Sequence, residues 1–166
     1  MYNESLDSLE RFIALYPGSK KISYAYYLRA LNYFEQIKDV KRDQSMTDKA
    51  KVAFYEVTTK YPESKFAQDA YDKIDIINDR LAAKEMEIAK YYQFDHQWIS
   101  AINRYNEILE NYKTSVYTAE SLHRLVEIYY SLGLYEEAKK YAATLGHNFP
   151  ESKWYTMSYE MIEEII

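Results

Sequence analysis

The stretch FAQDAYDKIDIINDRLAAKEMEIAKYYQ, residues 66–93, decides the fold of this chain. It contains neither glycine nor proline, and its apolar side chains recur at steps of three, four or seven residues, the spacing of one face of an α-helix. At about 1.5 Å per residue such a helix measures roughly 42 Å, longer than most globular helices. We therefore predict one continuous helix that joins two half-arrays rigidly. Its apolar face comprises Phe66, Ala70, Ile74, Ile77, Leu81, Ile88 and Tyr92.

The composition favours an all-α protein. Of 166 residues, 48% are hydrophobic, and only three glycines and three prolines are available to interrupt helices. The 21 basic residues are interspersed among 26 acidic ones, for a formal charge of −5, which disfavours a nucleic-acid-binding face. No apolar run reaches the ~18 residues of a membrane-spanning helix, and the lack of cysteine excludes disulfides and thiolate chemistry.

Four short segments repeat one helix-ending pattern. Three read aromatic-Pro-x-Ser-Lys, and the fourth has a lysine in place of the proline. Proline cannot continue a helix, and the serine hydroxyl is placed to cap the helix that follows. The segments are 16–20, 61–65, 112–115 and 149–153, with serines at positions 19, 64, 115 and 152.

The tetratricopeptide-repeat pattern of about 34 residues fits between these stops. Ending at Pro150, it places small residues at Ala138 and Ala142. Ending at Lys113, it places Ala89 and Ala101 where paired helices approach most closely. Ending at Pro62, it requires an insertion within 38–47.

The predicted helices lie near 3–16, 20–37, 47–61, 65–93, 96–112, 116–132, 135–147 and 152–165.

These patterns predict a single tetratricopeptide-repeat array over residues 1–166. A half repeat occupies 1–19, repeats occupy about 20–64, 65–114 and 115–151, and a final helix occupies 152–166. The chain opens in mid-helix without a cap, which leads us to expect an N-terminally truncated protein.

No motif indicates an enzyme, a metal site or a cofactor. Glu120 and His123 have the E-x-x-H spacing of di-iron bundles, but neither His96 nor His147 supplies the second copy that such a site needs. The twenty tyrosines are expected mostly to pack between repeats, and the remainder suit a concave wall for an extended or hairpin peptide. The residues alone thus indicate a scaffold that binds proteins.

Several segments together resemble the BamD family of outer-membrane lipoproteins of the β-barrel assembly machinery. The half repeat ending at Pro17 precedes an inserted loop, and Trp98 precedes the pair Asn103-Arg104. The inserted loop and the long helix are more specific than generic repeat residues. The matching segments are LERFI at 9–13, YYLRAL at 26–31, DVKRDQ at 39–44, YPES at 61–64, INDRLA at 77–82 and EIAKYY at 87–92.

The resemblance implies a rod of five repeats, lipid-anchored at the periplasmic face of the outer membrane. We expect the family's lipidated cysteine and its first repeat and a half to lie outside residues 1–166. The implied partners are the last POTRA domain of the barrel protein BamA, unfolded outer-membrane proteins received by the N-terminal repeats, and other assembly lipoproteins. The membrane would be contacted only through the absent anchor.

The family's salt bridge to BamA is implied for Arg104, with Asn103 beside it. We expect Arg104 to point outward from a second helix, so that it matters for binding and little for folding. A different interpretation is another envelope or cytosolic tetratricopeptide-repeat adaptor, which would bind a peptide in its concave groove. Such adaptors lack the inserted loop and the fused long helix.

Overall fold

The computed structural model describes residues 2–37 and 44–163, and these residues form eight α-helices and no strand. The all-α prediction is confirmed, and each predicted helix is present with its ends shifted by up to three residues. Part of the predicted insertion, 38–43, lies outside the described residues, and the remainder belongs to the third helix. The helices are α1 (Tyr2–Leu15), α2 (Ile22–Glu35), α3 (Gln44–Lys60), α4 (Ala67–Phe94), α5 (Trp98–Asn111), α6 (Thr118–Ser131), α7 (Tyr135–Asn148) and α8 (Lys153–Glu163).

The long helix α4 is continuous over 28 residues, as its apolar stripe predicts. The chain forms two compact units, Met1–Arg80 and Leu81–Ile166, so the boundary between them lies within this helix. The repeat boundaries proposed from the sequence remain a prediction.

All four predicted stops have the same backbone geometry. In each, the serine N–H donates to the carbonyl of the aromatic residue three positions earlier, at 2.9 to 3.1 Å. The segment at Ser115 does so without a proline. The turn therefore depends on these hydrogen bonds more than on the pyrrolidine ring of proline. The pairs are Ser19 with Tyr16, Ser64 with Tyr61, Ser115 with Tyr112, and Ser152 with Phe149.

At three stops the serine hydroxyl accepts a backbone N–H of the turn that leads into the next helix, and at the fourth the predicted cap is wrong. The residues that directly precede α2 and α6 are Lys21 and Tyr117, and neither caps its helix through a side chain. The hydroxyls of Ser19, Ser115 and Ser152 each accept the backbone N–H two residues later, at 3.2 Å. The Oγ of Ser64 is buried and makes no hydrogen bond within the described residues. The stop at Ser64 therefore relies on its backbone hydrogen bonds alone.

The first unit packs α1 against α2 and α2 against α3. Phe54 of α3 is fully buried and contacts the rings of Tyr27 and Phe34 from α2. Tyr27 also stacks on Phe66, with ring centroids 5.0 Å apart. The core of this unit is therefore largely aromatic.

The core of the second unit depends on small residues where helices cross. Ala89 of α4 and Ala101 of α5 are fully buried in one cluster with Tyr105. Ala138 of α7 is fully buried against Val126 of α6. The repeat pattern correctly predicts alanine at these contacts, since a larger side chain would hold the helices apart.

A polar network in the same unit centres on Glu127 of α6. Its carboxylate accepts two hydrogen bonds from Nη1 of Arg124, at 2.9 and 3.1 Å, and one from Gln93, at 3.2 Å. Burial alone would raise the pKa of Glu127, but the neighbouring Arg124 and His123 lower it to about 2. His123 is itself buried, and its Nδ1 lies 2.8 Å from Oγ of Ser158 on α8.

Overpacking tests the helix crossings. Ala138→Leu or Ala101→Leu should lower the free energy of unfolding by about 1 to 3 kcal/mol, because each methyl lies in a closed contact. Ala143→Leu is the matched control, since Ala143 is exposed on the same helix as Ala138. Urea unfolding of the three variants checks this, and equal stability of Ala138→Leu and Ala143→Leu would contradict the assigned crossing.

The Glu127 network should make stability fall in acid. The pKa of Glu127 in the folded chain, about 2, lies below its ordinary value of 4.5, so its contribution is complete above that value and lost as pH falls toward 2. Between neutral pH and about pH 3 the parent should lose free energy of unfolding. Glu127→Gln should lose about 1 to 2 kcal/mol less than the parent, after allowance for solvent screening. An unchanged pH dependence in Glu127→Gln would remove Glu127 from this role.

Candidate functional site

The two residues predicted to bind a partner lie on the outer part of α5. This helix buries Ala101, Tyr105 and Ile108, whose spacing of four and three residues fixes the side that faces the core. Asn103 consequently lies on the exposed side, and Arg104 lies at its edge, with 43% of its side chain exposed.

The sequence led us to expect that Arg104 matters little for folding, but its side chain forms an ion pair within the chain. Its Nη1 donates to Oε2 of Glu85 on α4 at 2.9 Å, and only 13% of the Glu85 side chain is exposed. The pair spans nineteen residues, too far for any sequence pattern to indicate it. Arg104 therefore contributes to folding as well, because its removal would leave a largely buried carboxylate without its cation.

A shallow cavity of about 280 Å³ adjoins this ion pair. We call it the α5 cavity, lined by Tyr92, Ser100, Asn103, Arg104 and Glu107. Within the described residues Glu85 is the one acceptor bonded to Arg104, through Nη1, so Nε and Nη2 retain donors for another carboxylate. The cavity thus combines an exposed amide with a partly engaged guanidinium.

Trp98 supports the turn that leads into α5. Its ring packs edge-to-face on His96, with centroids 5.0 Å apart. His96 adopts a φ of 57°, the left-handed region that non-glycine residues rarely occupy. The contact with Trp98 stabilises this conformation.

The first unit has a second cavity, of about 420 Å³, which we call the lysine cavity. Tyr24 stacks on Phe66 at a centroid distance of 5.1 Å, and the ammonium of Lys65 lies 5.1 Å from the Phe66 ring. Its lining contains three lysines and no carboxylate, which favours a ligand with negative charge and an apolar group. The lining residues are Lys20, Lys21, Ser23, Tyr24, Lys65 and Phe66.

Sequence reasoning missed the lysine cavity, although the signal was present. A lysine follows the serine of two stops, at Ser19 and at Ser64, which precede α2 and α4. What the sequence could not show is that the two helix starts lie side by side.

The two side chains of the E-x-x-H pair contact different partners. Glu120 bonds to Lys90 at 2.6 Å and to Arg124 at 3.1 Å, whereas His123 turns toward Ser158. Over the residues that the structure describes, no group of three or more histidine or acidic side chains is placed to hold a metal ion. No helix of this part of the chain is long and apolar enough to cross a bilayer.

Comparison with known proteins identifies the family. A family model described as "YfiO: Outer membrane lipoprotein" matches residues 1–145. A protein of Rickettsia prowazekii named outer membrane protein assembly factor BamD is 48% identical over 98% of this chain and 64% of its own length. Proteins with the same name from Caulobacter vibrioides and Neisseria meningitidis are 45% and 32% identical, over 98% and 95% of this chain and 53% and 63% of their own lengths. The chain thus spans less than two thirds of these relatives, and it belongs to the YfiO family of outer membrane lipoproteins.

Proposed function

We propose that this chain is a protein-binding scaffold of the machinery that assembles outer-membrane β-barrel proteins. It docks on the POTRA region of the BamA-like barrel protein and helps to receive barrel substrates, without a catalytic step. The full-length protein would be held by a lipid anchor at the periplasmic face of the outer membrane. The names of relatives that match 98% of this chain support the assembly role.

The observation that carries the docking proposal is the state of Arg104. A half-exposed guanidinium that uses only Nη1 within the described chain can bind a partner carboxylate through its other nitrogens. Asn103 adds an exposed amide one residue away. An arginine in such a position gains most when docking removes the remaining water from it.

Removing the Arg104 charge tests the docking. Arg104→Gln should weaken binding to the isolated POTRA region of the organism's BamA-like protein by about 2 kcal/mol, or roughly thirty-fold in Kd. Titration calorimetry provides the measurement. The free energy of unfolding of Arg104→Gln should fall by only about 1 kcal/mol, because the ion pair with Glu85 is lost.

Glu85→Gln is the matched control, because it breaks the same intrachain pair but keeps the guanidinium. Its affinity for the POTRA region should equal or exceed that of the parent, since Arg104 is then fully available. Equal weakening in both variants would show that the intrachain pair, and not contact with the partner, accounts for the effect. Unchanged affinity in Arg104→Gln would exclude this residue from the interface.

The lysine cavity suits the substrate-receiving part of the proposal. A barrel strand that ends in an aromatic residue offers a ring for Tyr24 and Phe66 and a terminal carboxylate for the lysines. Lys21 directly precedes α2, whose first turn contains no acidic side chain, so the positive end of the helix dipole adds to the attraction.

Peptide binding checks this assignment. A peptide copy of a barrel C-terminal strand should bind the parent at least about tenfold more tightly than Lys21→Glu, because charge reversal repels the carboxylate. Lys113→Glu, an exposed lysine in the equivalent stop of the other unit, should bind like the parent. An amidated peptide that binds as well as the free acid would contradict carboxylate recognition.

A further inference from the structure

Two turns of the second unit have the same backbone structure. In the turn between α4 and α5, His96 donates to the Gln93 carbonyl at 3.1 Å and Gln97 to the Tyr92 carbonyl at 2.9 Å. In the turn between α6 and α7, the same two bonds measure 3.0 and 2.9 Å and involve Gly133 and Leu134 as donors and Tyr130 and Tyr129 as acceptors. Both form the helix-ending motif that requires a left-handed residue, His96 at φ 57° and Gly133 at φ 72°.

The side chains on the two turns differ in a way that folding does not require. Phe94 is 87% exposed and Ile99 is 78% exposed, whereas the equivalent positions hold Ser131 and Glu136. The second turn forms the motif with these polar residues, so neither apolar side chain is needed for the backbone structure. A phenylalanine this exposed buries almost no surface within its own unit and would gain free energy if a partner covered it.

The turn also has a strained residue between these two side chains. A non-glycine residue at the left-handed position costs about 1 kcal/mol, and His96 occupies it where the other turn has Gly133. The His96 ring packs on Trp98, which directly precedes Ile99. The chain therefore has a strained residue in place of glycine between Phe94 and Ile99, and residues strained in this way cluster at functional sites.

The exposed apolar residues continue into the α5 cavity. Ile99 and Asn103 are four residues apart on α5 and so lie on the same side of the helix. Ser100 and Arg104, the next residue of each, line the cavity itself. An apolar contact at Ile99 and a polar contact at Asn103 are thus about one helical turn apart on the same side of α5, with Arg104 at the edge of that side, as an apolar anchor with a polar rim requires.

We propose that Phe94 and Ile99 are the apolar anchors of the interface that includes Arg104. The occupant is a protein surface with an apolar depression whose edge carries a carboxylate. This inference rests on the proposed function, because it places the anchors in the docking site for the POTRA region. An anionic membrane surface fits less well, since Asp95 and Glu107 lie nearby and the chain has a formal charge of −5.

The test exchanges the anchors for the residues of the other turn. Phe94→Ser and Ile99→Glu should each raise the Kd for the isolated POTRA region at least about tenfold, while thermal unfolding remains unchanged because both side chains are exposed. Leu132→Ser, which removes an exposed apolar residue from the turn between α6 and α7, is the control and should leave Kd within about twofold of the parent.

The outcomes separate this inference from the proposed function. Suppose that the parent binds and that Arg104→Gln weakens binding, but Phe94→Ser and Ile99→Glu do not. The assignment of Phe94 and Ile99 as anchors is then wrong, and the proposed docking on the POTRA region is retained. If the parent does not bind the POTRA region at all, the docking itself is wrong and the anchors fall with it. A parent that dimerises in sedimentation, with Phe94→Ser monomeric, would assign the surface to a second copy of this chain and overturn the inference.

Discussion

The second unit depends on the close approach of paired helices at alanine. Ala89 of α4 and Ala101 of α5 are fully buried in one cluster with Tyr105, whose ring is fully enclosed. Burial raises the pKa of the Tyr105 hydroxyl, which stays protonated and donates to Gln93 at 2.7 Å. Gln93 in turn donates to Glu127, so the apolar crossing sets the position of the polar network on α6. A larger residue at Ala101 would disturb both.

The same crossing places the candidate site. Because Ala101, Tyr105 and Ile108 fix which side of α5 faces the core, Ile99 and Asn103 must face solvent and Arg104 must lie beside Glu85. The side chains proposed to bind a partner are therefore positioned by a packed helix and not by a loop. Precise placement of this kind reduces the ordering entropy lost on docking.

Features that depend on residues close together in the sequence were predictable, whereas contacts between distant residues were not. Helix ends were predictable because aromatic, proline and serine act within a few residues, and the crossings at Ala101 and Ala138 because the repeat period carries them. The Glu85 pair of Arg104 and the contact of His123 with Ser158 join residues 19 and 35 positions apart, which no local pattern records. Ser64 shows the opposite failure, since it has the capping sequence but its hydroxyl makes no cap.

Covalent capture at α5 tests the central claim, that this outward side of the helix contacts the barrel protein. A photo-reactive amino acid at Asn103 in the full-length, membrane-anchored protein should cross-link to the BamA-like protein through its POTRA region. The same group at Ala143, exposed on α7, should give little or none. Strong capture from Ala143 with none from Asn103 would contradict this account and move the interface to another face of the second unit.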